Sequence, residues 1–311
     1  MKTRLLLSNL ALMTLCVLGF ISCNNDDVKL IDSSYKTLEF YSGFDLKIPV
    51  LANDWNIESV EYLPSGETVL DKNNNPLALK GNGEITSSEG WLTLKRDSKD
   101  GFVMSLKENF DPINERRVMI CINSNKERDY ITVIQKGGSE YRLVNCVFEE
   151  IEEEREIYTS AKDCSEIILT NNTSEPVSKP TGYIFKNVVE FSHFESNDYG
   201  AFSWIPEGDN ISIIPPTILI DGENHSMGNS ILYSESPVKT PYIKDLQKGI
   251  SILVQPYSEI RVKGEITYCK RICKYTLTVE NNGTGNQFEV DGIWTQIYPL
   301  ISHTIIYEPE E

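Results

Sequence analysis

Apolar and polar residues alternate with a period of two along most of the chain, the pattern of strands with one buried face. Leu38–Val50 carries β-branched and aromatic residues on both sides of a Ser42-Gly43 turn, and Trp55–Val60 alternates in the same way. A polar stretch, Ser65–Gly90, holds Asn73-Asn74-Asn75-Pro76 and Gly81-Asn82-Gly83, both turn chemistry. Trp91–Leu94, Phe102–Leu106, Arg117–Ile122 and Tyr130–Ile134 then follow as short apolar runs. Strands at this spacing, divided by turns and without a helical period, predict a β-sandwich. Gly137-Gly138-Ser139 marks a flexible boundary. Beyond it come Glu166–Thr170, Lys186–Phe191 and Ile211–Ile220, the last cut by Pro215-Pro216. Longer runs close the chain: Ile250–Val254, Ser258–Tyr268, Tyr275–Val279, Phe288–Trp294 and Thr304–Tyr307. Pro256 ends or edges its strand, and Asn281-Asn282-Gly283-Thr284-Gly285 supplies the positive-φ positions of a hairpin. The expected fold class is therefore all-β, a sandwich followed by a second, elongated antiparallel β domain.

The amino terminus breaks the alternation. Lys2 and Arg4 precede an apolar segment, Leu5–Ile21, which ends at Ser22-Cys23. A basic start, an apolar middle and a small residue before the cut make an export signal. The segment is short for a spanning helix, which needs roughly 20 apolar residues, and no basic stop-transfer flank follows it. Cys23 follows Phe20-Ile21-Ser22 and so resembles the cysteine of bacterial lipoproteins, which is acylated and becomes the first residue of the mature protein. The alternative is an ordinary signal in which Cys23 is incidental. Several acyl chains anchor firmly where one does so marginally, so the outer membrane is the expected partner. Asn24-Asn25-Asp26-Asp27 resembles the acidic signal that sends some lipoproteins of gut bacteria to the cell surface. The expected organisation is signal peptide 1–22, lipidated tether 23–30, sandwich 31–137, linker and acidic segment 138–160, and all-β domain 161–311.

Charge narrows the partners. The formal net charge of −17 includes +2 from Lys2 and Arg4, leaving −19 from Cys23 onward. Such a surface repels nucleic acid and anionic lipid headgroups but is indifferent to neutral glycans.

The residues of the first domain resemble the BACON family. Trp91-Leu92 is followed by Ser105-Leu106-Lys107-Glu108-Asn109, then Glu115-Arg116-Arg117-Val118, and the domain closes on Tyr130-Ile131-Thr132-Val133-Ile134-Gln135-Lys136-Gly137. The resemblance spans about residues 28–137, with Ser65–Glu89 as an insertion longer than the family shows there. It implies an immunoglobulin-like sandwich exported by gut bacteria and contact with carbohydrate or mucin; it carries over no binding residue. The residues themselves read as structural. Trp55 and Trp91 are expected as core plugs, Arg116 and Arg117 on opposite faces of one strand, and Gln135 as a partner for backbone at its strand's end.

A fainter resemblance lies further on. Leu169-Thr170-Asn171-Asn172-Thr173-Ser174-Glu175, then Ile252-Leu253-Val254-Gln255-Pro256-Tyr257-Ser258, then Phe288-Glu289-Val290-Asp291-Gly292-Ile293-Trp294 resemble the order of segments in aerolysin-like β-proteins. That implies long bent strands and a loop that refolds into a membrane barrel. A barrel loop needs sustained alternation, and Ser192–Ser236 contains Pro206, Pro215 and Pro216 instead.

Reactive chemistry is sparse. His193, His225 and His303 show no metal-ligand spacing, and no Gly-x-Ser-x-Gly elbow or phosphate-cradling glycine loop occurs. The expectation is a non-enzyme without cofactor or metal. Glu149–Glu156, EEIEEERE, lacks the Asp/Asn-Gly alternation of a calcium loop and reads as a solvated acidic edge. Five cysteines follow Cys23, an odd number that leaves at least one unbridged. Cys269 and Cys273 can bond only if a turn at Lys270-Arg271 folds them together; the other reading, a metal site, has no histidine or second cysteine pair close by in sequence. Tyr199, Phe202 and Trp204, in a turn-rich stretch, are the candidates for stacking on sugar rings, against the alternative of buried loop anchors. The expected function is a surface lipoprotein that binds carbohydrate or mucin glycan without catalysis. The alternatives are a membrane-active, pore-forming protein and a structural spacer or adhesin subunit.

Overall fold

The structure, a computed structural model, describes residues 29–125, 127–138, 140–181, 184–228, 230–242 and 251–307. The signal segment and Cys23 lie outside the described residues. The chain divides into two units, Met1–Asn109 with Ile113–Lys136, and Phe110–Pro112 with Gly137–Glu311.

Among the described residues the first unit holds eight strands: β1 (Thr37–Phe40), β2 (Phe44–Pro49), β3 (Asn56–Tyr62), β4 (Gly83–Thr86), β5 (Leu92–Ser98), β6 (Gly101–Leu106), β7 (Arg116–Ser124) and β8 (Glu127–Gln135). They form two four-stranded sheets, ordered β1-β8-β7-β3 and β2-β6-β5-β4. Pairing is antiparallel except between β1 and β8, which run parallel. The alternating residues Leu92, Leu94, Met104, Leu106, Val118, Ile120, Ile131 and Val133 are buried on the facing sides. Trp55 and Trp91 are core plugs as expected. Arg116 lies over the Trp91 ring at 5.0 Å, while Arg117, on the other face, pairs with Glu115 at the surface. Gln135 is fully buried and donates to the Lys107 carbonyl at 2.7 Å. The Ser65–Glu89 insertion is not a free loop. It bridges to β3 at Glu61–Thr68 and Ile57–Leu79, and it adds Val69, Leu77 and Leu79 to the core. The expected tether ends early, because Leu30 is buried and its amide donates to Asp129.

The second unit starts where a linker was expected. Residues 138–160 carry β9 (Tyr141–Glu150) and β10 (Glu156–Ser160). Both pair with the longest strand among the described residues, so the acidic run edges the central sheet. Next come β11 (Glu166–Asn171), β12 (Val177–Pro180), β13 (Val189–Glu195), β14 (Ser212–Ile213), β15 (Ile218–Ile220), β16 (Glu223–His225), β17 (Ile231–Leu232), β18 (Val238–Pro241) and β19 (Ser251–Val254). The unit closes with β20 (Ser258–Asn281, 24 residues) and β21 (Gln287–Tyr307, 21 residues). The central sheet is ordered β10-β20-β21-β13-β18, with β9 and β11 also on β20. The hairpin at Asn281–Gly285 is as expected, its turn held by the Asn281 side chain accepting from Gly283 and Thr284 amides.

The sequence divided β20 in two at Lys270-Arg271, and the structure does not. Arg271 is fully buried beneath the sheet and Lys270 faces outward, so alternation runs straight through the pair. What changes at this point is the buried face. Val262, Ile266 and Tyr268 pack on one side, with Leu169, Ile184, Phe185, Val188, Ile252 and Val254. From Cys269 onward the odd-numbered residues are buried instead: Cys273, Tyr275, Leu277 and Val279 pack with Phe194, Trp204, Tyr233, Val290 and Trp294. Successive strand residues point to opposite faces, so one strand serves two cores lying on opposite sides of its sheet. The switch coincides with a bulge in β21: Thr267 pairs with Ile301 and Tyr268 with Pro299, leaving Leu300 over.

Continuity of β20 removes the turn on which the candidate bridge between Cys269 and Cys273 depended. Four residues along a strand span roughly 13 Å at 3.3 Å per residue, about twice what a disulfide can join. Both thiols are free, as are those of Cys121, Cys146 and Cys164.

Candidate functional site

The second unit carries an open cleft of about 850 Å³ on the polar face of the central sheet. Its floor follows from register, since residues directly opposite on paired strands share a face. Lys274 of β20 faces Glu149 of β9 on one side and Ile293 of β21 on the other. Thr276 faces Asp291, and Glu195 of β13 faces Ile293. These outward positions belong to the strand segments whose opposite side is the aromatic core, which makes the floor stiff. Gly292, between Asp291 and Ile293, lies opposite Tyr275 on the buried side of the ladder, where there is no room for a side chain. A Cβ there would stand 2.2 Å from the Glu195 carbonyl oxygen and 2.6 Å from the Tyr275 ring.

Hydrogen bonds fasten the rim to this floor. The Thr276 hydroxyl donates to Asp291 Oδ1 at 2.5 Å. The Asp291 amide donates to Asp198 Oδ2 at 2.7 Å, and the Ser196 hydroxyl donates to the Asp291 carbonyl at 2.6 Å. His193 Nδ1 lies 3.8 Å from Glu195 Oε2. The cleft also receives Phe202 and Glu235. Phe202 is half-buried and stacks on Tyr233 with ring centroids 4.9 Å apart. Tyr233 in turn donates to the Ala201 carbonyl at 2.9 Å. Burial pushes the Tyr275 phenol above its ordinary range, so it is a neutral hydrogen-bonding group.

The three aromatic candidates therefore part company. Trp204 is 1% exposed and its indole donates to the Ala201 carbonyl at 2.8 Å, which makes it a core anchor and not a sugar platform. Tyr199 is half-buried and stacks against Phe110 of the same unit, 6.0 Å between centroids. Phe202 alone of the three lines the cleft. Glu149, His193, Glu195, Lys274 and Asp291 come to it from four strands far apart in sequence, so no local spacing marked them. The signal that could have found them is the polar half of the alternation in β20 and β21, once both are read as unbroken.

Among the described residues no group of three or more His, Cys, Asp or Glu is arranged to hold a metal, and no helix is long and apolar enough to cross a membrane. Chemically, the cleft offers carboxylate acceptors, a few donors and the half-buried ring of Phe202.

No family model matches the chain, so the BACON resemblance stands on the residues quoted for it. No curated protein matches it in sequence. Among solved structures the chain is similar to a lamprey immune protein, at 10% identity over 88% of this chain and 89% of that one, with a TM-score of 0.35. It is similar also to parasporin-2, a Bacillus thuringiensis toxin that recognizes cancer cells, at 10% identity over 54% and 73%, with a TM-score of 0.27. A third is Dpr2 Ig1-Ig2 in complex with DIP-Theta Ig1-Ig3, at 8% identity over 90% and 97%, with a TM-score of 0.23. At these scores the likenesses carry no argument about function.

Proposed function

We propose that this chain is an exported protein, anchored in the outer membrane through acyl chains on Cys23, whose second unit binds carbohydrate without catalysis. The observation that carries the reading is the cleft itself. A rigid sheet face lined by carboxylates, a hydroxyl and an ammonium meets the half-buried ring of Phe202. Sugars bind where an aromatic face covers their C–H surface and fixed acceptors receive their hydroxyl protons. The resemblance of the first unit to BACON sandwiches points the same way. A glycan array probed with the purified protein tests it: binding to mucin or polysaccharide above background is expected, and a silent array counts against the proposal. Export and lipidation are tested separately, by mass spectrometry of the amino-terminal peptide from cells, where an unacylated Cys23 is the adverse result.

A second reading, membrane activity, draws on the length of the β20–β21 hairpin, since about 9–11 residues suffice for a spanning strand. Arg261, Lys263, Glu265, Lys270 and Lys274 place charges along β20 on both of its faces, and charge on a lipid-facing position is costly. Leakage of dye from liposomes would favour this reading over simple binding.

A further inference from the structure

We infer that the first unit is a tension-bearing link, in which β1 and β8 form a clamp that is loaded in shear when the two ends of the unit are pulled apart. That role rests on the anchor proposed at Cys23, which would put the unit between the membrane and whatever the second unit holds.

β1 and β8 are neighbours in one sheet and run parallel, with Thr37 opposite Thr132 and Phe40 opposite Gln135. The chain comes from the amino terminus into β1 and leaves the unit after β8, at Lys136. A pull on the amino-terminal side therefore draws β1 backward along its own length, and a pull from beyond Lys136 draws β8 forward. The two strands are driven past each other, and the bonds between them share the load. Antiparallel terminal strands would have both ends on one side, and the same pull would open their bonds one after another. A single hydrogen bond contributes only about 0.5–1.5 kcal/mol. Whether bonds yield singly or together thus sets the unfolding rate, which governs forced unfolding.

Contacts are concentrated along this seam. At the entry, the Leu30 and Ile31 amides both donate to Asp129 Oδ2, at 3.1 and 3.0 Å, and Lys36 pairs with Oδ1. The Leu30 carbonyl also accepts from the Leu51 amide at 2.9 Å, which ties the entering chain to the segment after β2 in the other sheet. β1 has only four residues, but bonding continues past both of its ends. The Thr132 amide donates to the Lys36 carbonyl at 2.9 Å, and the Lys136 amide to the Phe40 carbonyl at 2.8 Å. At the exit, the Gln135 side-chain amide donates to the Ser42 carbonyl at 3.3 Å, and Lys136 Nζ stands 3.6 Å from Glu39. Leu30, Ile31, Asp129 and Gln135 are buried, so water has little access to compete for the bonds at either end.

Single-molecule pulling on the purified protein tests this in two arrangements. One holds residue 24 and the carboxyl end; the other holds residue 24 and an azide-bearing residue in place of Glu127, so that native thiols take no part. Glu127 opens β8 and is exposed, so the second arrangement grips both strands by their starting ends and peels the seam. In either, opening of the first unit is recognised by a gain of roughly 350 Å, from about 100 residues at 3.3–3.6 Å each. At equal loading rate the end-to-end arrangement is expected to need at least about twice the force of the peeling one. Asp129→Ala cuts the entry bonds and spares the ladder, so it should lower the end-to-end force and leave the peeling force unchanged. Equal or lower force in the end-to-end arrangement overturns the inference. An equal proportional fall in both arrangements with Asp129→Ala overturns it too, since that marks lost stability alone. Neither result bears on acylation or sugar binding, which the amino-terminal peptide and the glycan array decide separately.

Discussion

Replacing Arg271 with methionine is expected to stabilise the second unit. Arg271 is fully buried, and among the described residues neither Nη1 nor Nη2 has a hydrogen-bond partner. Nε donates to Gln296 Oε1 at 2.9 Å, the guanidinium lies over the Trp294 ring at 4.8 Å, and the charges of Glu150 and Glu190 attract it from farther off. The hydrogen bond contributes about 1.5–3 kcal/mol, being charge-assisted, and the ring contact about 2 kcal/mol when desolvated. Against them stand two unpartnered nitrogens at about 1–3 kcal/mol each, and a desolvation penalty for the ion of several kcal/mol more. The surplus lies on the side of removal, by about 1–3 kcal/mol, within the range seen when buried ions are exchanged for hydrophobes. Methionine keeps most of the volume and can lie against Trp294. Arg271→Ala removes the same charge but leaves a cavity, and is expected to fall below the methionine variant by about 2–5 kcal/mol. Urea unfolding followed by tryptophan fluorescence reads both. With a slope of about 2 kcal/mol per molar, the methionine variant should raise the midpoint by roughly 0.5–1.5 M, and the slope should not change. A methionine midpoint below that of the unaltered protein would refute the reasoning, because it would mean that attraction from Glu150 and Glu190 outweighs the desolvation of the guanidinium.

Burial raises the Glu190 carboxyl above its ordinary value of 4.5, opposed by the hydrogen bond from Gln296 and the charge of Arg271. The folded state then keeps a proton that the unfolded state has already lost, so stability falls as pH rises from about 4.5 through the folded value and levels off above it. Glu190→Gln should flatten that part of a melting-temperature profile between pH 4 and 7, and parallel profiles for the two proteins would rule the linkage out. Trp204→Ala empties a fully packed site against Tyr233, whose ring centroid is 5.9 Å away, and should cost about 3–5 kcal/mol, measured by chemical denaturation; a loss under 1 kcal/mol would show that the indole is not an anchor. Phe202→Ala should weaken sugar binding severalfold, at about 0.5–1.5 kcal/mol for the lost ring contact, without lowering the melting temperature by more than a few degrees; unchanged affinity would remove Phe202 from the site. Peptide mapping of the unreduced protein should find Cys269 and Cys273 as separate thiols, and a linked peptide would contradict the unbroken β20.

Most strands of the first unit were legible because their alternation keeps one phase over the buried stretch. β3 departs from it, with a bulge between Ile57 and Ser59 that separates its buried residues Ile57 and Val60 by three positions. Elsewhere the alternating apolar residues face a single core, so Leu92 and Leu94, or Val118 and Ile120, declare their side without reference to anything else. The turn at Asn281–Gly285 was legible because glycine reaches conformations other residues avoid, as Gly285 does at φ 73°. The boundary at Gly137 was legible because a Gly-Gly-Ser stretch joins units. β20 defeated the same reading because it obeys the rule twice, with opposite phase. Its buried series runs Val262, Gly264, Ile266, Tyr268 and then, one residue on, Cys269, Arg271, Cys273, Tyr275. Two adjoining buried positions followed by a charged pair look like a strand end and a turn. No glycine, proline or asparagine stands between Tyr268 and Tyr275, however, and a two-residue hairpin without such residues has no backbone to make it. A slip of phase that lacks turn chemistry has another physical cause: the strand continues and its covering layer changes sides. Read this way, Lys274 and Thr276 turn outward on the same stretch that buries Cys273 and Tyr275, and the floor of the cleft follows from the alternation alone. The rim does not, because Ser196, Asp198, Phe202 and Glu235 reach it through loops whose course is set by bonds to β21, and no period in their own sequence encodes those bonds.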